Sequence, residues 1–94
     1  MVYLIIRHKI EDFAKWKPAF DMHGSMRERS GCKGGQLFRE SGDANSMVIL
    51  FEWDNIDNAT NFVESADLKE AMGKAGVIGK PEFFFLDQIE DFPV

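Results

Sequence analysis

The most informative segment of this 94-residue chain for its fold is Met47-Val48-Ile49-Leu50-Phe51-Glu52-Trp53. Its β-branched and aromatic side chains are typical of a strand. Successive side chains of a strand point to opposite faces of the sheet, and here both sets are apolar apart from Glu52. A strand with one solvent-exposed face would instead alternate between apolar and polar residues. The pattern therefore predicts a central strand in a sheet that is covered on both faces.

The segments next to this strand extend the pattern in both directions. A weaker strand at 36–40 and a turn at 41–45 precede it, which predicts a β-hairpin. After it, Asp54-Asn55 offers side chains that cap a helix, and the spacing Asp67-x-x-Glu70 predicts the start of a second, short helix over 68–75. The middle of the chain is thus predicted to be strand, strand, helix.

The amino-terminal half is predicted to be a strand over 2–9 followed by helical structure. Pro18 disfavours a helical conformation in the residue before it and is tolerated in a first turn. We therefore predict a short turn at 11–16 and a main helix over 17–30, which ends where Gly31 can adopt a left-handed conformation.

A loop at 76–81 and a last strand over 82–90 complete the order β-α-β-β-α-β. This order predicts one α+β domain over residues 1–94, ferredoxin-like, with a four-stranded antiparallel sheet and both helices on one face. Because helices cover one face only, the second apolar face needs another cover. We predict a homodimer whose sheets pack face to face. The sequence leaves open which of the two alternating sets of side chains in each strand faces the partner.

The composition excludes several classes of protein. Lys and Arg number 11 against 16 Asp and Glu, which gives a net charge of −5 and predicts no nucleic-acid partner. The longest apolar runs have five or six residues, so no membrane span is expected. The amino terminus lacks the basic and small-residue features of a signal peptide. A single cysteine, Cys32, fits a reducing compartment, and we expect a cytoplasmic protein.

His23 and Arg27 are the most informative polar residues, because they continue the helical stripe of Trp16 and Phe20. Buried polar groups need a partner or a cavity. An imidazole can accept a proton from a phenol or quinol hydroxyl, and a guanidinium can hold the resulting oxyanion. Alternatively, Arg27 pairs with Asp12 or Glu52, or the stripe turns towards solvent at its end.

The remaining candidates are apolar or aromatic. Trp16, Phe20 and Trp53 could form a wall for a flat ligand or could simply be core, and Met72 could line a pocket or fill space. Arg7 and His8 lie on opposite faces of the first strand, so one is predicted to face the helices and the other the dimer interface. The two histidines lie on different elements without metal-ligand spacing, so we predict no metal site.

The chain resembles the antibiotic-biosynthesis monooxygenases of the dimeric α/β-barrel superfamily, through an uncharacterised branch. The resemblance rests on the element order and on short motifs: Phe51-Glu52-Trp53-Asp54, Ser65-x-x-Leu68-x-x-Ala71, Gly31-Cys32-Lys33-Gly34-Gly35, Asp12-Phe13-x-x-Trp16, Phe20-Asp21-x-His23, Arg27 and Ala75-Gly76-Val77. It implies a ligand pocket between helices and sheet and a cofactor-independent oxygenase that acts on a small aromatic molecule of the quinol or polyketide type. The expected roles are a proton acceptor (His23), anion holders (Arg27 and Arg7) and pocket walls (Trp16, Phe20, Trp53 and Met72), with no cofactor.

Two alternatives remain. The haem-degrading branch of the same superfamily has an Asn on the first strand, a Trp that ends the third, and a His in the second helical region. Here Trp53 matches, but Arg7 or His8 stands at the Asn position and Met72 at the His position, so haem degradation is disfavoured. The second alternative is a non-enzymatic barrel that binds a small ligand or serves in a stress response, because a fold does not imply a function.

Overall fold

A four-stranded antiparallel sheet forms the centre of the computed structural model, which describes residues 2–94. The strands are β1 (Val2–Ile10), β2 (Cys32–Arg39), β3 (Ser46–Trp53) and β4 (Val77–Asp87), and the helices are α1 (Phe13–Met22), α2 (Gly24–Ser30), α3 (Ile56–Glu64) and α4 (Ala66–Ala75). The spatial order is β2-β3-β1-β4, and every neighbouring pair is antiparallel. This confirms the predicted ferredoxin-like α+β fold. The longest helices have 10 residues, and none within residues 2–94 could span a bilayer.

The hydrophobic core lies between the helices and one face of the sheet. Even-numbered β1 residues and odd-numbered β3 residues supply this face, and Leu4 pairs with Phe51 while Ile6 pairs with Ile49. All four side chains are at most 5% exposed. The helices contribute the buried side chains Trp16, Ala59, Phe62, Leu68 and Ala75. The helices therefore cover one side of the sheet, as the strand pattern predicted.

The opposite face of the sheet carries a second apolar surface. It consists of the other parity of side chains, with Ile5 paired to both Leu50 and Phe84, and Arg7 paired to Val48. Phe84 is 46% exposed. We call this surface the outer face. The parity that the sequence left open is thus resolved: Leu4 belongs to the core, while Leu50 and Phe84 belong to the outer face.

The first helical region differs from its predicted boundaries. The Asp12 carboxylate accepts a hydrogen bond from the Ala14 N–H at 3.1 Å, which starts α1 at Phe13. Pro18 lies inside this helix on an exposed position, and the break falls instead at His23. The predicted turn at 11–16 and helix over 17–30 were therefore wrong, because the cap at Asp12 starts the helix before the proline. Its predicted end at Gly31 is confirmed, with φ of 116°.

The second helical region begins as predicted after Asn55, but its second helix starts at Ala66, two residues before the predicted start at residue 68. Asn55 caps α3 by accepting a hydrogen bond from the Asn58 N–H at 2.8 Å. The cap of α4 is Ser65, whose hydroxyl accepts a hydrogen bond from the Leu68 N–H at 3.0 Å. Asp67 lies in the first turn of α4 and does not cap it. An extended Ser65 backbone lets one residue end α3 and start α4.

Two strands begin earlier in the sequence than predicted, because glycines allow the backbone conformations that bring these residues into the sheet. β2 begins at Cys32, and an irregularity between Cys32 and Gly34 allows both to pair with β3. β4 begins directly after Gly76, which ends α4 with φ of 83°. Residues 79–81 interrupt the pairing of β4 with β1 opposite His8. The predicted loop at 76–81 is therefore mostly strand with a bulge.

Candidate functional site

A cavity of about 40 Å³ lies between the helices and the helix-facing side of the sheet. This volume accommodates a few water molecules, whereas a cavity of roughly 150 Å³ is enough for benzene. Most of its lining is apolar, and its polar side chains are two histidines and one arginine. The lining residues are Ile6, His8, Trp16, Ala19, Phe20, His23, Arg27, Ile49, Phe51, Phe62, Leu68, Ala71, Met72 and Ala75.

His23 reaches this cavity from the junction of α1 and α2. Its side chain is only 13% exposed, and its Nε2 atom has no hydrogen-bond partner among residues 2–94. The nearest carboxylate oxygen, Oδ2 of Asp67, is 3.6 Å away. The ring centroid of Phe62 lies 6.2 Å from that of the imidazole. A buried imidazole nitrogen without a partner can bind a hydrogen-bonding group of a ligand.

Arg27 lies one helical turn after His23 and is held against an aromatic ring. Its Nη1 atom donates a hydrogen bond to the Phe20 carbonyl oxygen at 2.9 Å, and its guanidinium carbon lies 4.1 Å from the Phe20 ring centroid. Partial burial lowers the pKa of Arg27 from its ordinary value. Among residues 2–94 it forms no salt bridge, so the alternative of pairing with Asp12 or Glu52 is not realised. Its other N–H groups remain available to an anion.

His8 is the polar residue of the cavity that the sequence-based site omitted. It is 6% exposed, and neither ring nitrogen has a hydrogen-bond partner within residues 2–94. Its ring meets that of Trp16 edge-on at 5.7 Å. Burial lowers the His8 pKa to about 4, so the imidazole is neutral at neutral pH. The available signal was its parity with Leu4 and Ile6, which places it on the core face of β1.

The predicted aromatic wall is partly realised. Trp16 and Phe20 stack with centroids 4.9 Å apart, and Phe20 packs against Phe51 at 6.2 Å. Met72 lines the cavity from α4. Trp53, by contrast, does not line it: this fully buried residue ends β3 and packs on Phe62 at 4.8 Å. Its position at the end of the strand makes it part of the core beyond the cavity.

Arg7 does not join the predicted site either. It lies on the outer face, where its guanidinium is 3.3 Å from carboxylate oxygens of both Glu40 and Glu82. Strand alternation is the reason, because Arg7 and His8 must point to opposite sides of the sheet. The sequence predicted that one of the two would face the helices, and that residue is His8.

The cavity adjoins the protein surface between α1 and α4. A surface groove there shares Ala19, His23 and Ala71 with the cavity lining. Asp67 and Lys74 border the groove on its α4 side. His23 therefore stands where a ligand entering from this groove would first meet a buried polar atom.

Cys32 is not a nucleophile candidate in this arrangement. Its Sγ lies 3.7 Å from the Gly34 carbonyl oxygen, and burial raises the pKa of the thiol. The protonated form is therefore favoured at neutral pH. Within residues 2–94, no three His, Cys, Asp or Glu side chains come together in a way that could hold a metal ion.

Comparison with known proteins identifies the fold. No protein-family model matches the chain, and no curated protein does. Three solved structures have the same architecture at 18% sequence identity. A Bordetella bronchiseptica protein named as a candidate antibiotic biosynthesis monooxygenase superposes with a TM-score of 0.78 over 95% of this chain and 97% of its own. A Caulobacter crescentus protein with the same description gives a TM-score of 0.74 over 95% and 90%.

The third structure is SnoaB from Streptomyces nogalater, described as a cofactor-independent oxygenase. It superposes with a TM-score of 0.77 over 99% of this chain and 97% of its own. These likenesses span nearly whole chains on both sides, so they confirm the architecture expected from the sequence resemblance. At 18% identity they establish the fold and leave the activity to be argued from the site.

Proposed function

We propose that this chain is a cofactor-independent oxygenase that binds a small electron-rich aromatic molecule between its helices and its sheet. The observation that carries the proposal is the buried imidazole of His23 in the wall of a mostly apolar cavity, with an Nε2 atom that makes no hydrogen bond within residues 2–94 and lies 3.6 Å from Oδ2 of Asp67. Arg27, which has no carboxylate partner within residues 2–94, places a positive charge on the same cavity. A base and a cation that line an apolar cavity suit a substrate that loses a proton during the reaction and becomes an anion.

In the proposed reaction, His23 takes the hydroxyl proton of a phenolic enol, such as the enol form of an anthrone. Arg27 stabilises the resulting anion. The anion gives its electrons to dioxygen and forms a C–O bond, and the peroxide takes the proton back from the imidazolium. Loss of water breaks the O–O bond and leaves a new carbonyl. One oxygen atom enters the product, the other leaves as water, and the substrate supplies the electrons.

A ring-sized substrate requires side chains to move, because the cavity measures about 40 Å³. Phe20 is well placed for this movement. It is half-buried, and on its other side lies a groove of about 190 Å³ near Gly35 and Leu37 that also borders Arg27. Rotation of the Phe20 ring would join the two spaces and leave the guanidinium beside both. Enzymes often rearrange loops or side chains around a substrate once it is bound.

The experiment that tests the proposal is oxygen uptake with a panel of quinols and anthrones. We expect His23→Ala and His23→Gln to lower the rate by about 100-fold, as is typical for loss of a general base. Ser25→Ala is the matched control, because Ser25 lies two residues from His23 at an exposed position and lines neither the cavity nor the groove between α1 and α4. Unchanged oxygen uptake in both His23 variants would exclude the assigned role.

A second candidate is binding without turnover, and the small volume of the cavity favours it. A site that holds its ligand tightly needs no space for dioxygen or for a changing substrate. Saturable binding of a phenol by calorimetry, together with no oxygen uptake for any compound in the panel, would establish this alternative over the oxygenase.

We further propose that two copies of the chain pack through their outer faces. Ile5, Val48, Leu50, Phe84 and Leu86 form a continuous apolar patch there, and exposed apolar area costs roughly 25 cal/mol per Å². Arg7 and its two glutamates lie on the same face, so it holds both signs of charge. A surface of this kind can pair with a copy of itself across a two-fold axis.

A further inference from the structure

A second imidazole faces the cavity, and the proposed reaction does not use it. His8 is only 6% exposed, and neither its Nδ1 atom nor its Nε2 atom has a hydrogen-bond partner within residues 2–94. A neutral imidazole has one N–H donor and one acceptor. Leaving a buried polar group unpaired destabilises a protein, so native structures rarely do so. Two unpaired atoms on one ring are therefore a strong indication of something that binds there.

The surroundings of His8 leave it no alternative partner. Trp16 covers one side of its ring through an edge-on aromatic contact. In the sheet, the pairing of β1 with β4 is interrupted between Arg7 and Lys9, so His8 has no paired residue on β4. Irregularities of this kind are common at sheet edges, where β4 lies, and next to functional sites, and they redirect a side chain. The direction left open to the imidazole is the cavity that it lines together with His23.

The two histidines differ in what they can do. Burial lowers the His8 pKa to about 4, which makes this imidazole a weak base that remains neutral while it donates and accepts hydrogen bonds. His23 lies at the groove between α1 and α4. We therefore assign proton transfer to His23, and we assign to His8 the recognition of a polar group without proton transfer.

We propose that His8 binds a second oxygen substituent of the ligand, so that this site selects aromatic molecules with two oxygen groups over those with one. The inference rests on the proposed function, whose substrate panel already includes quinols, and adds the residue that recognises their second oxygen substituent. A hydroxyl suits His8 best, because it can accept from the imidazole N–H and donate to the other nitrogen's lone pair in alternative orientations. A site built to bond a hydroxyl strongly rejects an analogue that lacks it.

The test is a binding series in which methyl replaces hydroxyl at constant shape. The probes are the three dihydroxybenzenes, the matching cresols and the matching xylenes, titrated calorimetrically under nitrogen so that no oxidation occurs. For the isomer that binds most tightly, we expect the wild-type protein to have at least tenfold higher affinity for the dihydroxybenzene than for the matching cresol. In His8→Phe this preference should fall to within about twofold, while the preference for cresol over xylene, which His23 provides, should remain.

His8→Gln serves as the second variant, because its amide keeps a donor and an acceptor. It should retain part of the preference for the dihydroxybenzene, which a merely structural role of His8 would not produce. An unchanged preference in His8→Phe would overturn the inference while leaving the proposed function intact. If no compound in the panel supports oxygen uptake but the His8-dependent binding preference is observed, the oxygenase activity is overturned and the inference about His8 stands. Failure of all nine probes to bind would overturn the inference, whereas the oxygen-uptake panel decides the proposed function separately.

Discussion

At the scale of single residues, burial decides what each ionisable group of the cavity can do. His8 and His23 are both imidazoles that line one cavity, yet His8 lies on a central strand and His23 on a helix junction beside a surface groove. Burial lowers the pKa of Arg27, but a guanidinium stays protonated in proteins, and here it stacks on Phe20 and donates to the Phe20 carbonyl. Each of these situations makes a measurable prediction.

The first prediction concerns His8 and pH. Its folded-state pKa of about 4 lies below the ordinary value of 6.5, so between these values the unfolded chain binds more protons than the native protein. Stability is therefore lost as the pH falls from 6.5 towards 4, by up to about 3 kcal/mol. We expect chemical denaturation from pH 7 to pH 4 to show a smaller loss in His8→Phe than in the wild type. Carboxylates titrate in both proteins, so equal losses would contradict the assigned burial of His8.

The second prediction concerns Arg27 and charge. A hydrogen bond to a charged group contributes about 1.5 to 3 kcal/mol, which corresponds to roughly tenfold to a hundredfold in affinity. Arg27→Met should weaken binding of benzoate by this factor and leave binding of benzyl alcohol nearly unchanged. Arg29→Met is the control, because Arg29 is an exposed arginine of the same helix that does not line the cavity. An equal loss for both ligands would indicate a packing role for Arg27 instead of an electrostatic one.

At the scale of elements, the helices position the site through their caps and breaks. The break at His23 turns the chain so that His23 and Arg27 both reach the cavity from α1 and α2. On the other side, Ser65 ends α3 and starts α4, with its hydroxyl donating to the Phe62 carbonyl at 2.8 Å. This joint sets the angle at which Leu68 and Met72 face the sheet.

The third prediction identifies the cap of α4. Ser65→Ala removes two hydrogen bonds, one donated to Phe62 and one accepted from Leu68, and should lower the free energy of unfolding by about 1 to 2 kcal/mol. Asp67→Ala should change it by only a few tenths of a kcal/mol, because the exposed Asp67 contributes through the helix dipole and a 3.6 Å contact with His23 and does not cap the helix. Urea denaturation of the two variants compares them directly. A larger loss for Asp67→Ala would reverse the assignment of the cap.

At the scale of the whole molecule, the sheet has two apolar faces and the helices cover one of them. Large apolar side chains on the outer face, Phe84 and Leu86, are more than 40% exposed, and Phe38 on the edge strand is 51% exposed. Ile89 and Phe92, which follow β4, add further exposed apolar surface. Surfaces of this extent usually mark an interface.

The fourth prediction tests the proposed dimer. Leu50 lies in the centre of the outer face, between Ile5 and Gln36 in the register. A buried unpaired charge is strongly unfavourable at an interface, so Leu50→Glu should convert a dimer into a monomer in sedimentation equilibrium at micromolar concentration. Ala66→Glu, at an exposed position of α4, adds the same charge and should leave the dimer intact. A monomeric wild-type protein would contradict the proposal.

The amino-acid sequence was sufficient to predict the order of elements, the antiparallel sheet with its two apolar faces, and the stripe that carries Trp16, Phe20, His23 and Arg27. These features follow from local periodicity, which depends on neighbours along the chain. Helix boundaries were less predictable, because competing signals such as Asp12 and Pro18, or Ser65 and Asp67, differ in energy by only about a kcal/mol.

Which candidate residues come together depends on the folded chain. Arg7 and Trp53 belong elsewhere because strand parity and the end of β3 place them outside the cavity, whereas His8 enters it through the same parity rule. The sequence places Arg7 and His8 next to each other, and the sheet separates them onto opposite faces. Whether a buried polar atom has a partner depends on residues distant in sequence, and so the unpartnered imidazoles of His8 and His23 become visible only in the folded chain.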